Sequence, residues 1–228
     1  SLRPPVTAML NRDAIRSGAF LESFSHLPPE ILWTQTQIDQ SLAETMAKRP
    51  AGKDIWVFGY GSLMWNPLSR FDRHANATLL GWRRSFCIRL FGGRGTPQRP
   101  GRMLALEPGG ATQGVALRLD AATLDEELHI LWTREMLTGA YTPVWTTVTL
   151  ATGETRHAVA FVANDCPRQY EADSSPATVA RLIAQAQGPL GTNAEYVFQL
   201  RRALADCALT DAYVEEVAQA LERIETSI

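Results

Sequence analysis

Ile55-Trp56-Val57-Phe58-Gly59-Tyr60-Gly61-Ser62-Leu63 is the stretch from which the fold is read. Four residues, all β-branched or aromatic, run without polar alternation and stop at a pair of glycines. That is the pattern of a short strand buried on both faces and ending in a tight turn. Further strand candidates follow at Thr78–Leu80, Ser85–Leu90, Met103–Glu107, Val115–Leu119, Val144–Leu150 and Ala158–Ala163. Gly92–Gly101 and Pro108–Gly110 read as the turns that punctuate them. Short strands with one inserted helix, at about Thr123–Leu137, predict a curved sheet or small barrel. The alternation of strands with long helices that a doubly wound sheet requires is missing.

On either side of this body the chain reads as helix. Residues 1–53 form an expected helical extension broken by Pro28 and Pro29, with Ile38, Leu42 and Met46 recurring every four residues up to Pro50. That stripe is read as packing on the body rather than as a dimer contact, and no chemistry is assigned to it. Beyond residue 164, Pro176–Gln187 ends at Gly188-Pro189, and Asn193 is the expected cap of a helix carrying Tyr196, Leu200 and Leu204 on one face. A last helix aligns Val214, Val217, Leu221 and Ile224.

Composition removes several classes of function. A formal net charge of −2 over 228 residues, with basic residues dispersed among acidic ones, offers no attraction for nucleic acid or an anionic membrane. No apolar run reaches the roughly 20 residues needed to span a bilayer, and the N-terminus shows no signal-peptide core. Cys87, Cys166 and Cys207 are odd in number and far apart, so a reducing, cytoplasmic setting is expected. His26, His74, His129 and His157 are scattered, so neither a metal nor another cofactor is expected. The sequence assigns no oligomeric state.

The helix near 123–137 carries an anomaly. Leu124, Leu128 and Leu131 step along a buried stripe beside Trp132, and the next position of the series is Glu135. A carboxylate on an apolar stripe is desolvated, which raises its pKa, and the carbonyl dipoles at a helix C-terminus push the same way. Such a group takes and returns a proton near neutrality, as a general acid/base must. The same pattern suits a buried ion pair with Arg84, Arg94 or Arg134, and both readings stand at this point.

Two loops complete the candidate site. The turn Gly59-Tyr60-Gly61-Ser62 lacks the lysine and the spacing of a nucleotide loop, but its amides and the Ser62 hydroxyl can form a nest for a carboxylate or oxyanion. Its glycines permit positive φ or the close approach of a ligand. In Gly92-Gly93-Arg94-Gly95-Thr96-Pro97, the Arg94 guanidinium can grip a substrate carboxylate, or simply be solvated.

The segment from Val57 to Trp65 resembles the opening signature of the ChaC family of γ-glutamyl cyclotransferases. The resemblance continues through Gly81–Phe86, Arg94–Pro97, Pro100-Gly101, Arg134-Glu135, Gly139–Tyr141 and Gly188–Tyr196, and covers roughly residues 54–220. It implies an α+β fold, a small mixed β-barrel with surrounding helices, here over 54–228 behind the extension. It also implies cleavage of a γ-glutamyl amide, glutathione in the usual case, with release of 5-oxoproline and cysteinylglycine. Glu135 falls on the family's essential acid/base position. Val57, Phe58, Gly59, Tyr60, Gly61, Ser62 and Leu63 fall on its substrate loop, with Arg94, Tyr141 and Tyr196 as further wall or hydrogen-bonding positions and Arg84 in the same tier. Gly93 stands where many glutathione-acting relatives carry His, and Ala140 interrupts the family's paired glycine before the tyrosine. Both departures bear on the leaving part of the substrate.

This chemistry needs no triad, thiolate or metal, because the substrate's own α-amine is the nucleophile. Three alternatives accompany it: another γ-glutamyl amine as substrate, a non-catalytic regulator of cation transport, and a hydrolase using Ser62. The last lacks a G-x-S-x-G elbow and an ordered histidine partner.

Overall fold

A computed structural model describes residues 10–166 and 168–227. Residues 1–9 of the expected extension, and the reading of its N-terminus, lie outside the described residues. The chain runs α1 (Arg12–Ser17), α2 (Ala19–Glu22), α3 (Gln35–Ala47), β1 (Trp56–Gly59), β2 (Phe71–Leu90), β3 (Gly101–Leu119), α4 (Leu124–Glu135), β4 (Tyr141–Leu150), β5 (Thr155–Ala163), α5 (Pro176–Gln185), β6 (Gln187–Gly188), β7 (Gly191–Thr192), α6 (Asn193–Asp206) and α7 (Ala212–Glu225). A 3-10 turn, Ser62–Met64, follows β1 directly.

Five strands close into a barrel in the order β1-β3-β2-β4-β5. All pairings are antiparallel except the last, where β1 meets β5 in parallel through Trp56↔Ala158 and Val57↔Val159. β1 is buried along its length, as its unbroken apolar run requires. Its residues alternate between two cores. Trp56 and Phe58 join a cluster with Leu79, Phe86 and the inner faces of α5, α6 and α7. Ile55 and Val57 join the cluster beneath α3 and α4, with Ile38, Leu128, Leu131, Trp132 and Phe161. The Ile38 stripe therefore packs on the body, with Leu42 and Met46 at its edge.

The strands between Thr78 and Leu119 differ from expectation. Thr78–Leu80 and Ser85–Leu90 belong to one 20-residue strand, and Met103–Glu107 and Val115–Leu119 to one of 19 residues. Pro108-Gly109-Gly110 is not a turn. Register shifts at Leu80/Trp82 and Ser85/Ile88 bend the ribbon, and Gly81, Gly109 and Gly110 take positive φ where it kinks, so the glycines sit at a bulge within continuous pairing. The Gly92–Gly101 punctuation does mark the connection between the two strands.

The cap of α6 is Thr192 and not Asn193, closing a capping box with Glu195. Asn193 is fully buried in the first turn, and its amide serves as a strand partner: Oδ1 accepts from the Arg102 amide at 2.8 Å and Nδ2 donates to the Arg102 carbonyl at 3.1 Å. Among the described residues no helix is long and apolar enough to cross a membrane.

Candidate active site

Glu135 is the last residue of α4. The helix starts with Asp125, Glu126 and Glu127 in its first turn, favourable to its dipole, and buries Leu128, Leu131 and Trp132 against the barrel. Continuing that face carries the Glu135 side chain to the end of β1 and into a cavity. Only 15% of the side chain is exposed. Among the described residues its carboxylate accepts no hydrogen bond, and its one ionic neighbour is Arg134, with Nε 3.6 Å from Oε1. Burial raises the carboxyl pKa above the ordinary 4.5, and the Arg134 charge opposes that rise without cancelling it.

The arginine question left open by the sequence divides three ways. Arg84 is buried elsewhere, bonded to Asp211 at 3.0 Å and to the Tyr60 and Gln113 carbonyls at 2.8 and 2.7 Å. It thereby pins the backbone of the Gly59–Gly61 turn. Arg94 lines the cavity, but its Nη1 is tied to the Thr192 carbonyl and the Glu195 carboxylate at 2.8 and 2.9 Å. Arg134 is the near neighbour. It donates through Nη2 to Ser62 Oγ at 3.0 Å and through Nη1 to the Asn66 carbonyl, so its strongest bonds go to the turn and not to Glu135.

Three phenols surround the carboxylate. Tyr60 donates to the Phe161 carbonyl at 2.5 Å and Tyr141 to the Leu104 carbonyl at 2.8 Å. Burial, with the Glu135 charge adding, raises both well above an ordinary phenol. Tyr196 is pushed up to about 12, chiefly by burial and then by Glu135, with the Ser62 amide and hydroxyl opposing the rise. Its oxygen explains Gly61: a Cβ there would lie 2.6 Å from Tyr196 Oη. Neither Gly59 nor Gly61 has positive φ, so close approach, and not a left-handed turn, is what demands glycine at 61.

The cavity has two parts. An inner recess of about 40 Å³ is lined by Tyr60, Gly61, Ser62, Leu63, Glu135, Tyr141 and Tyr196, among others. A larger space of about 570 Å³ shares Ser62, Glu135, Tyr141 and Tyr196 with it and adds Arg94 and Arg134. Of the expected substrate-loop residues, Val57, Phe58 and Gly59 line neither part; the first two point into the two cores behind the turn. Absent from the sequence reading are Phe20, Phe24, Leu27 and Ile31, which wall the larger space from the N-terminal segment, along with Gln169 and Gln199. The Phe20/Phe24/Leu27 spacing was a helical-face signal, but nothing in it distinguishes a cavity wall from ordinary packing.

A closed mixed barrel with a buried carboxylate beside the turn after its first strand has the fold of the γ-glutamyl cyclotransferases. It matches the crystal structure of a selenomethionine-labelled γ-glutamyl cyclotransferase specific to glutathione from yeast with a TM-score of 0.69, covering 75% of this chain and 97% of that one at 23% identity. A family model described as ChaC-like protein matches residues 55–224, and the chain belongs to that family. It is 43% identical over 216 residues to the glutathione-specific γ-glutamylcyclotransferase of Escherichia coli (strain K12), covering 95% of this chain and 94% of the relative. Over 182 residues it is 32% identical to γ-glutamylcyclotransferase 2-1 of Arabidopsis thaliana, covering 74% of this chain and 82% of that protein.

Proposed function

We propose that the chain is a glutathione-specific γ-glutamylcyclotransferase, a lyase that releases 5-oxoproline and cysteinylglycine, with Glu135 as its general base and acid. The observation that carries the mechanism is the state of that carboxylate: nearly buried, without a hydrogen bond among the described residues, raised in pKa, and facing a cavity. The names of the relatives support the substrate.

In the reaction the α-amine of the γ-glutamyl group attacks its own γ-carbonyl carbon. The new N–C bond closes a five-membered ring, the amide C–N bond breaks, and the amine of cysteinylglycine leaves. Holding the substrate folded for this attack contributes up to about 7–11 kcal/mol in the best intramolecular cases. Glu135 takes the proton released by the attacking amine and delivers it to the departing nitrogen. Arg134, fixed by Ser62 and Asn66, supplies positive charge for the α-carboxylate. Gly61, Ser62 and Leu63 line the recess, and a turn amide serves the carbonyl oxygen, where one such donor is typically worth about 3–4 kcal/mol. Tyr141 and Tyr196, protonated at neutral pH, wall the same recess, and Arg94 at the loop meets the far carboxylate.

Other nucleophiles fit less well. The Ser62 hydroxyl accepts from Arg134, and among the described residues no histidine lines either space. The Cys87 thiol is pushed up to about 12, first by burial, and so is not a thiolate. We read residues 54–228 as the catalytic domain and 1–53 as its extension, acting in the cytoplasm on a small molecule with no nucleic-acid or membrane partner. Incubation with glutathione tests the proposal. Equal amounts of 5-oxoproline and cysteinylglycine are expected, and glutathione recovered intact refutes it.

A further inference from the structure

The reaction as proposed uses only part of the cavity. Glu135, Ser62 and Tyr196 line both the recess of about 40 Å³, which takes the reacting carbonyl, and the larger space of about 570 Å³, where Arg134 and Arg94 meet the two carboxylates of glutathione and leave an apolar side unused. Cavities of ~300–1,000 Å³ accommodate drug-sized ligands. The outer wall of this one is apolar and comes from the N-terminal segment. Phe20 and Phe24 meet edge to face with centroids 5.3 Å apart, Leu27 and Ile31 follow, and Phe91 and Leu190 join them from later loops. The wall is held in place. Arg12 on α1 donates to the fully buried carboxylate of Glu127 at 2.6 and 2.9 Å and to Glu126 at 2.9 Å, joining the segment to the helix that ends in Glu135.

We propose that this wall binds an apolar substituent on the substrate's sulfur, so that S-alkyl and S-aryl derivatives of glutathione are cleaved at the same site. The inference rests on the cyclotransferase reading above. With the γ-carbonyl at the recess, the scissile nitrogen belongs to the cysteinyl residue, and its side chain is the next group outward. Phe20, Phe24 and Leu27 are all but buried and show the cavity only an edge, while the half-buried Ile31, Phe91 and Leu190 show it more; a bare thiol leaves that apolar face to water. An alkyl chain replaces that poorly held water with apolar contact. The bonds made and broken are those already given: the α-amine nitrogen joins the γ-carbonyl carbon, the amide C–N bond breaks, and Glu135 relays the proton. The second product is the S-substituted cysteinylglycine, with the sulfur and its substituent unchanged. Burial of about 0.8 kcal/mol per CH₂ corresponds to roughly fourfold in kcat/KM for each methylene that reaches the wall.

The test measures 5-oxoproline release from glutathione and from its S-methyl, S-propyl and S-hexyl derivatives. We expect kcat/KM to rise at least tenfold from S-methyl to S-hexyl. Ile31→Asp, at a half-buried wall position, is expected to lower the ratio of S-hexyl to glutathione at least fivefold. Turnover of glutathione with a flat or falling series overturns the inference, as does S-hexyl-glutathione that binds without releasing 5-oxoproline. Turnover of the derivatives without turnover of glutathione upholds the inference and corrects the substrate. No release from any of them sinks both readings.

Discussion

Glu135→Gln separates a working carboxylate from a structural one. If Glu135 were the counterion that keeps Arg134 in place, the amide would leave a buried guanidinium uncompensated, at a cost of about 3–5 kcal/mol. In a chain of this size each kcal/mol moves Tm by about 2–4 °C, so the melting point would fall by roughly 6–20 °C. The geometry argues for the opposite. Arg134 donates to Ser62 Oγ and the Asn66 carbonyl and stands 3.6 Å from Glu135 without a hydrogen bond, so its own bonds survive the change. The substitution also removes a carboxylate that burial disfavours. Since the folded pKa is raised, the native state holds its proton more tightly than the unfolded chain, and the wild type loses stability as pH rises through that window. Glutamine escapes that loss. The expected result at pH 7 is a Tm equal to or above wild type, with 5-oxoproline release reduced by about 10²–10⁴, the usual worth of a positioned acid/base. Circular dichroism melting and a coupled 5-oxoproline assay on the same preparation decide it. A Tm fall above about 6 °C, or release within threefold of wild type, refutes the reasoning.

Other outcomes follow from the same geometry. The acid limb of kcat/KM should lie above the ordinary carboxylate value of 4.5, with activity lost as pH falls and Glu135 takes up its proton; a pH–rate profile in which that limb persists in Glu135→Gln would assign it elsewhere. Gly61→Ala brings a Cβ to 2.6 Å from Tyr196 Oη and should cost at least tenfold in kcat/KM, whereas in a Tyr196→Phe background the nearest atom is Leu104 Cδ2 at 3.4 Å and the extra cost should shrink to under threefold. A double-mutant cycle measures that coupling, and additive effects would count against it. Arg12→Met removes charge-assisted bonds to Glu127 and should destabilise by about 1.5–3 kcal/mol in urea unfolding. Burial tends to raise the Glu127 pKa, but the bonds from Arg12, the Arg70 amide and Thr123 outweigh it and leave it lowered. Its stabilisation is thus present above the unfolded carboxylate value and is lost as pH falls through the folded one. The wild-type advantage over Arg12→Met should fade in acid, and an unchanged gap at pH 2 would contradict this account.

Much of this was legible because single residues broke a local rule. Leu124, Leu128 and Leu131 define a face, and Glu135 on that face is conspicuous whatever the fold. The first strand was equally plain, since an unbroken apolar run ending in glycines has few other uses. The long ribbon is not legible in the sequence because Pro108-Gly109-Gly110 has the composition of a turn. Local sequence does not show that Gly81 lies across from it and that both strands kink together. Asn193 is a good cap by type, but its buried amide completes a strand edge 91 residues away, a demand set by tertiary position alone. The wall from Phe20 to Ile31 was unreadable for the same reason: whether an apolar face meets a neighbour or an empty space depends on what the rest of the chain leaves unfilled.

Closure of the barrel has a consequence for the order of assembly. β1 and β5 join through two residue pairs, Trp56↔Ala158 and Val57↔Val159, and β2 and β4 through two, Ala77↔Leu150 and Thr78↔Thr149. The β2–β3 and β4–β5 ribbons are local hairpins with long registers, whereas both seams bring together segments far apart along the chain. Loop entropy makes such contacts late ones. Tyr60 lies just beyond β1, which pairs with β3, and donates its hydroxyl to the Phe161 carbonyl of β5 across the β1–β5 seam. A nascent chain that has formed both hairpins but neither seam would hold most of its strand pairing and yet have no recess, so competence for catalysis arrives with the last contacts to form.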